Sequence, residues 1–460
     1  VGILTNDLNA ERHDALFAFT NGVVLDRRIA RQEIRVQKAW VEALVPVGIL
    51  ENDEAKRVQA ALDDALIAIE AGRFEWRIQD EDIHMNLERF VTERTGDLGK
   101  RMHIGRSRND LIATTLRLFV ADSLDALRSD LKTVSLALAD QAEKTLGVVV
   151  PGMTHLQHGQ PIRFGHALAA HGWALSRDRD RLRDARSRAL HSMPLGSAAL
   201  GGTSIGVDLS RIARDLGFDG PSRNSYDSVG DRDFVLESLS ALSLVGVHLS
   251  RLAEDLIIWS STALGLIRLP KAFSTGSSIM PNKRNPDVPE LVRAKSAHLI
   301  GAATEAHVLV KGVPTSYGSD LHEVKSVYLR ALDETHACLG ILPGFLREMS
   351  VNEARAEQLL LSGHILATEI ADELALRHGL PFREAYRQVA ALVEVADRKG
   401  VQVHQLTLAD AQTVAPQMSA KFLAGLGPER AVELRRNAGG TARAPAQDGI
   451  RRLRDSLGAD

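Results

Sequence analysis

The chain predicts an all-α fold, organised as three domains around a bundle of long helices. Three observations predict it. Apolar residues recur at alternating steps of three and four over many turns, the spacing that keeps one face of an α-helix buried. Aromatic residues make up only 4% of the chain while Leu, Ala, Arg and Asp are abundant, which suits Leu/Ala helix seams. No alternation of strand-like and helix-like segments appears, so a doubly wound sheet is disfavoured. No repeat of roughly 20–50 residues points to a solenoid either.

Taken in order, the region before Lys100 holds shorter helical patterns over Arg27–Leu44, Glu54–Ala71 and Asp80–Thr95. The stripe Leu116, Val120, Leu124, Leu127, Leu131, Val134, Leu138 predicts one helix from about Asn109 to Leu146, on the order of 55 Å long at 1.5 Å per residue. Ala167–Leu190 predicts a second long helix. Its run Arg177, Asp178, Arg179, Asp180, Arg181, Arg183, Asp184, Arg186 reads as a solvated, ion-paired face. Leu242, Val245, Leu249, Leu252, Leu256 and Trp259 mark a third, and a fourth runs from Glu290, just after Pro289, to about Val310. Beyond Val351 the patterns shorten, punctuated by Pro381, Pro416 and Pro428. The expected division is an N-terminal helical domain (1–108), a central bundle (109–350) and a C-terminal helical domain (351–460).

Composition narrows the function classes. With 56 Lys+Arg against 59 Asp+Glu, net charge recruits neither nucleic acid nor a membrane surface. A single cysteine, Cys338, leaves no internal disulfide and no cysteine-rich metal site. No apolar run approaches the roughly 20 residues that span a bilayer. Asp7, Glu11 and Arg12 interrupt the N-terminus where a signal-peptide core would lie. The expectation is a soluble, cytoplasmic protein.

Three polar clusters sit at the predicted ends of long helices. The first is His103-Ile104-Gly105-Arg106-Ser107-Arg108-Asn109-Asp110. A helix start offers free N–H groups to an anion, and Arg106 and Arg108 add forked donors for a carboxylate; a plain helix cap with surface arginines is the alternative. The second is Pro151-Gly152-Met153-Thr154-His155-Leu156-Gln157-His158-Gly159-Gln160-Pro161. Its histidines could move protons or simply be satisfied core groups. Their spacing of three suits a metal if the stretch is helical, but no third ligand accompanies them, so no metal site is predicted. The third is Ser274-Thr275-Gly276-Ser277-Ser278-Ile279-Met280-Pro281-Asn282-Lys283-Arg284-Asn285-Pro286, followed by Asp287 and Glu290. Gly276 and two prolines make it an irregular loop that carries a hydroxyl and a lysine at a set separation.

Together these clusters resemble the fumarase/aspartase superfamily, and within it the argininosuccinate lyase family. The resemblance spans nearly the whole chain. It also takes in Phe19–Arg28, Glu81-Asp82-Ile83-His84, Leu195-Gly196-Ser197, Asn224-Ser225, Arg232-Asp233-Phe234 and Gly439-Gly440-Thr441-Ala442. It implies an all-helical homotetramer with a central bundle built from four subunits and each active site drawn from three chains. It implies a lyase that eliminates an amine from an N-substituted L-aspartate and releases fumarate, with no metal and no organic cofactor. By the same resemblance Ser277 is the base, Lys283 and Asn285 hold the charged carboxylate, and His155, oriented by Glu290, serves the leaving amine. Ser107, Arg108, Asn109 and Thr154 match binders of the succinyl part; Gln157, Tyr317 and Lys325 match further substrate contacts.

Four departures from the family pattern fall mainly on the amine side. Gly22 stands in Thr20-Asn21-Gly22-Val23 where the family has a serine. His322 stands in Tyr317-Gly318-Ser319-Asp320-Leu321-His322-Glu323-Val324-Lys325 where it has a glutamine. Ile104 replaces a threonine, and His158-Gly159 replaces Arg-Ala. The expectation is a carbon–nitrogen lyase whose amine differs from arginine, for example a diamine as in ethylenediamine-N,N'-disuccinate. The alternatives are argininosuccinate as the true substrate, or a crystallin-like structural protein of the same fold.

Overall fold

The computed structural model describes residues 14–458; Asp7, Glu11 and Arg12 lie outside them. Long helices cover Arg108–Lys144, Phe164–Ala189, Asp233–Ser260, Asp287–Val310 and Glu323–Glu348. The fold is all-α; the described residues add only short two-stranded pairings. Every member of the 116–138 stripe is buried, as are Leu242, Val245, Leu249, Leu252, Leu256 and Trp259. The apolar periodicity thus marks the core faces directly.

Three local features differ from expectation. Glu323–Glu348 is a long helix outside the four stripes, although Val324, Tyr328, Ala331, Thr335, Cys338, Leu342 and Phe345 form a fully buried seam. Its interior Pro343 reads as a helix end, yet the packed face carries the helix through it. The charged run of Phe164–Ala189 is not wholly solvated. Asp178 and Arg179 are buried, because Asp178 falls on the same face as Leu175 and Leu182, and its carboxylate meets His248 Nδ1 at 2.7 Å. The stretch 149–163 is an antiparallel hairpin, Val149–Thr154 paired with Gln157–Arg163, rather than a helix end.

The chain divides into two compact units. One comprises residues up to Arg128, Asp180–Leu244 and Ala297–His336. Its core joins Trp40, Leu62, Leu87, Phe90, Leu111 and Ile212. The other comprises Ser129–Arg179, Val245–Ser296 and the chain from Ala337 onward. One of its cores gathers Ile370, Leu374, Leu392, Ala396 and Phe422.

Candidate active site

The Ser277 segment closes on itself. Asn285 N–H donates to Thr275 O at 2.9 Å. Asp287 Oδ2, at the start of its helix, accepts the Thr275 N–H at 3.0 Å and the Thr275 hydroxyl at 2.7 Å. The Thr275 hydroxyl holds the Asp287 carboxyl below its ordinary range, with Lys283 adding its charge. Inside this ring Ser277 Oγ accepts two backbone N–H groups, from Ile279 at 3.3 Å and Met280 at 3.1 Å. Two N–H dipoles aimed at one oxygen lower the cost of negative charge there. Lys283 and Glu290 are exposed and Asn285 is half-buried. Glu290 lies in the first turn of Asp287–Val310.

The hairpin presents the second cluster at its tip. Thr154 pairs with Gln157 and Met153 with His158, leaving His155 and Leu156 as a two-residue turn. Both have φ of 57°, the left-handed region that such a turn requires and that glycine or asparagine ordinarily fills. Non-glycine residues held there persist where the surroundings impose them, often at functional sites. Thr154, His155, Leu156 and Gln157 are all exposed. Because the stretch is a hairpin, the helical spacing that could have paired His155 with His158 on a metal does not arise.

In the other unit, Ser107 Oγ accepts Asn109 N–H at 3.3 Å, capping the helix that begins at Arg108. Asp110 is fully buried. It accepts N–H groups from Ser107 at 3.1 Å, Gly196 at 3.0 Å and Ala198 at 2.8 Å. Burial pushes its carboxyl up to about 6 despite those bonds. Asn109 Nδ2 donates to Ala199 O at 3.0 Å, so the helix start and the 195–199 turn form one structure. Arg108 reaches Glu81 at 3.2 Å and Asp82 at 3.3 Å. Arg106 is buried, not a surface arginine: its Nη2 donates to Gln37 Oε1 at 2.6 Å and to Met102 O at 2.9 Å, while its Nε and Nη1 are buried with no hydrogen-bond partner among the described residues.

Lys325 forms a buried ion pair with Asp26. Tyr317 hydrogen-bonds His322 Nε2. Burial and the Lys325 charge push His322 below its ordinary value, so its neutral ring accepts the Tyr317 hydroxyl proton. A Cβ at Gly22 would lie 3.0 Å from Asp26 Oδ2. Gly22 therefore leaves that carboxylate face uncovered.

The structure thus joins Ser277 with Asn285 in one loop, Thr154 with His155 and Gln157 in one hairpin, Tyr317 with His322, and Gly22 with Lys325 through Asp26. Among the described residues, no hydrogen bond joins His155 to Glu290 or to Ser277 within the chain. Sequence reasoning assigned no role to Asp26, Asp82 or Asp287. The only signal for each was its place within or just after a stretch that carries the family resemblance.

A family model described as lyase matches residues 9–301, and one described as argininosuccinate lyase C-terminal matches residues 364–433. The argininosuccinate lyase of Nitratidesulfovibrio vulgaris is 43% identical over 423 residues, 92% of each chain. Among solved structures, an EDDS lyase variant with bound fumarate is similar with a TM-score of 0.84 at 26% identity, covering 94% of this chain and 87% of the other. An EDDS lyase in complex with formate gives 0.82 at 27% identity with the same coverage. Class II fumarase from Schistosoma mansoni, at 16% identity and a TM-score of 0.75 over 90% of this chain and 92% of the other, shares the fold.

Proposed function

The chain belongs to the argininosuccinate lyase type of the fumarase/aspartase superfamily, and from that premise we propose which residues perform its elimination and which amine leaves. It is a carbon–nitrogen lyase of the fumarate-releasing type. The substrate is an N-substituted L-aspartate. Ser277 takes the proton from the carbon next to the carboxylate. The electron pair left behind spreads into that carboxylate, and Lys283 and Asn285 hold the resulting dinegative aci-form. The C–N bond then breaks in the anti sense, the pair closes the double bond of fumarate, and the departing nitrogen takes a proton from His155, which Glu290 orients. Ser107, Arg108, Asn109 and Thr154 hold the succinyl half, and Gln157 is a further substrate contact.

The observation that carries this reading is the pair of N–H groups on Ser277 Oγ. A serine is a poor base until its alkoxide is stabilised, and these donors with Lys283 nearby in the loop supply that stabilisation. On the amine side, Gly22 brings no hydroxyl and His322 Nε2 is already engaged by Tyr317. A site that has lost such partners loses its preference for the amine they held, so the leaving amine is one other than arginine. Arginine itself is the second reading, favoured by the 43% identity to a curated argininosuccinate lyase.

One experiment separates these readings. Fumarate release is followed by ultraviolet absorbance with argininosuccinate, and the reverse reaction is run with fumarate and a panel of amines. Slow cleavage of argininosuccinate with turnover of another amine is expected. Fast cleavage overturns the altered-amine reading. No turnover with any partner favours a structural role. Ser277→Ala is expected to lower turnover by roughly 10²–10⁴-fold, and wild-type turnover in that variant removes Ser277 from the base role.

A further inference from the structure

His158 lies one residue beyond the hairpin tip pair Thr154–Gln157, opposite Met153. Its Nδ1 is 3.1 Å from Ser362 Oγ. The Ser362 hydroxyl proton is directed to Leu359 O at 2.8 Å, so the oxygen is left to accept Nδ1–H from His158. Gly363 permits this approach: a Cβ there would stand 2.8 Å from His158 Cβ, and its φ is 74°. The next residue continues the anchor. His364, at φ 50°, accepts Val403 N–H on Nδ1 at 3.1 Å and meets Asp397 through Nε2 at 2.9 Å. Its own N–H donates to Gln402 Oε1 at 2.8 Å. The turn at 362–364 is thus fastened to 397–403, and His158 is fastened to the turn. Among the described residues, the side chains of Thr154, His155 and Gln157 have no hydrogen bond of their own, so His158 is the side-chain anchor nearest the tip.

The geometry points to His158 as a positioning residue for His155: its clasp with Ser362 over Gly363 fixes where the hairpin tip, and with it the His155 ring, is delivered. This rests on the assignment of proton transfer to His155 made above. A ring displaced by about 1 Å loses much of its effect on a proton transfer, on the order of 10- to 100-fold.

Two measurements on the full chain test this. Hydrogen exchange over the peptide 149–163 is expected to quicken roughly tenfold at the tip in His158→Ala and in Ser362→Ala, and to return toward wild type in His158→Asn, which keeps a donor near Nδ1. Unchanged exchange in both alanine variants overturns the clasp. Fumarate release is then measured with argininosuccinate and with ethylenediamine-N,N'-disuccinate as probes. kcat is expected to fall about 10-fold or more with KM held within about twofold, and neither alanine change lowers kcat further in a His155→Ala background. A further loss in that background overturns action through His155. His155→Ala alone separates the two levels. If it keeps wild-type kcat, the role of His155 fails, while the exchange result still decides the clasp.

Discussion

Glu33 and His84 form a fully buried pair, with Oε1 and Nδ1 2.5 Å apart. Burial pushes Glu33 up, but the His84 charge and hydrogen bonds from His84, Thr115 and Gln37 together bring it below its ordinary value. Burial pushes His84 down, and the charges of Glu33, Asp82 and Asp26 bring it above its ordinary value. The signs then follow. The Glu33 contribution is present above its unfolded value of about 4.3 and is lost as pH falls through the lower folded value. The His84 contribution is complete below about 6.5 and is lost as pH rises through the higher folded value. Stability from the pair is therefore greatest between about pH 4.3 and 6.5. His84→Gln leaves a buried carboxylate with neutral donors only, at a cost of about 3 kcal/mol, and is expected to remove this pair's loss of stability on the alkaline side. Unfolding midpoints from pH 5 to 9 check it; an unchanged alkaline slope in the variant would count against the assignment. Gly22 gives a second residue-scale test. Gly22→Ser with His322→Gln is expected to raise argininosuccinate turnover by about 10-fold, one hydrogen bond's worth. The new Cβ must crowd the anchored Asp26 carboxylate at 3.0 Å, so stability should drop by about 1 kcal/mol. Unchanged turnover in the double variant would show that the amine is chosen elsewhere.

Among elements, the Ser277 loop depends on a clamp at its base. Asp287→Ala removes the acceptor of both Thr275 donors. It is expected to quicken hydrogen exchange over residues 275–286 and lower kcat by about 10-fold, with the following helix intact. Wild-type kcat in this variant would mean that the loop needs no clamp. The loop itself was legible because its residue types are chemically specific, and the long helices were legible because their seams repeat. The clamp and the N–H pair on Ser277 were not, since they depend on backbone directions that no spacing records. The hairpin was hidden for a local reason. Its turn is His155-Leu156 in place of Asn-Gly, and Pro151 faces Pro161 across the ladder, where proline's missing N–H argues against a strand. Asp26 and Lys325 are 299 positions apart, so their pairing could come only from the fold.

For the whole molecule, the tip of the hairpin and the Ser277 loop look outward. Leu156, Ile279 and Met280 are exposed beside His155 and Ser277. On the Asp287–Val310 helix, Leu291, Ala294, Gly301 and Val308 are exposed at steps of three and seven, a seam narrow enough for a second helix to approach closely. We propose that further copies of this chain cover these surfaces, as in the tetramer that the family resemblance implies, and that each site takes His155 and Ser277 from different copies. The proposal has a numerical consequence. His155→Ala and Ser277→Ala are each expected to be nearly inactive. When equal amounts are unfolded together and refolded, a site has even odds of receiving an intact His155 and, independently, even odds of receiving an intact Ser277. Random assembly should therefore restore about one quarter of wild-type activity, because the two groups come from different protomers of a symmetric oligomer. If both groups came from one chain, every site would lack one of them, and the mixture would stay as inactive as its parents.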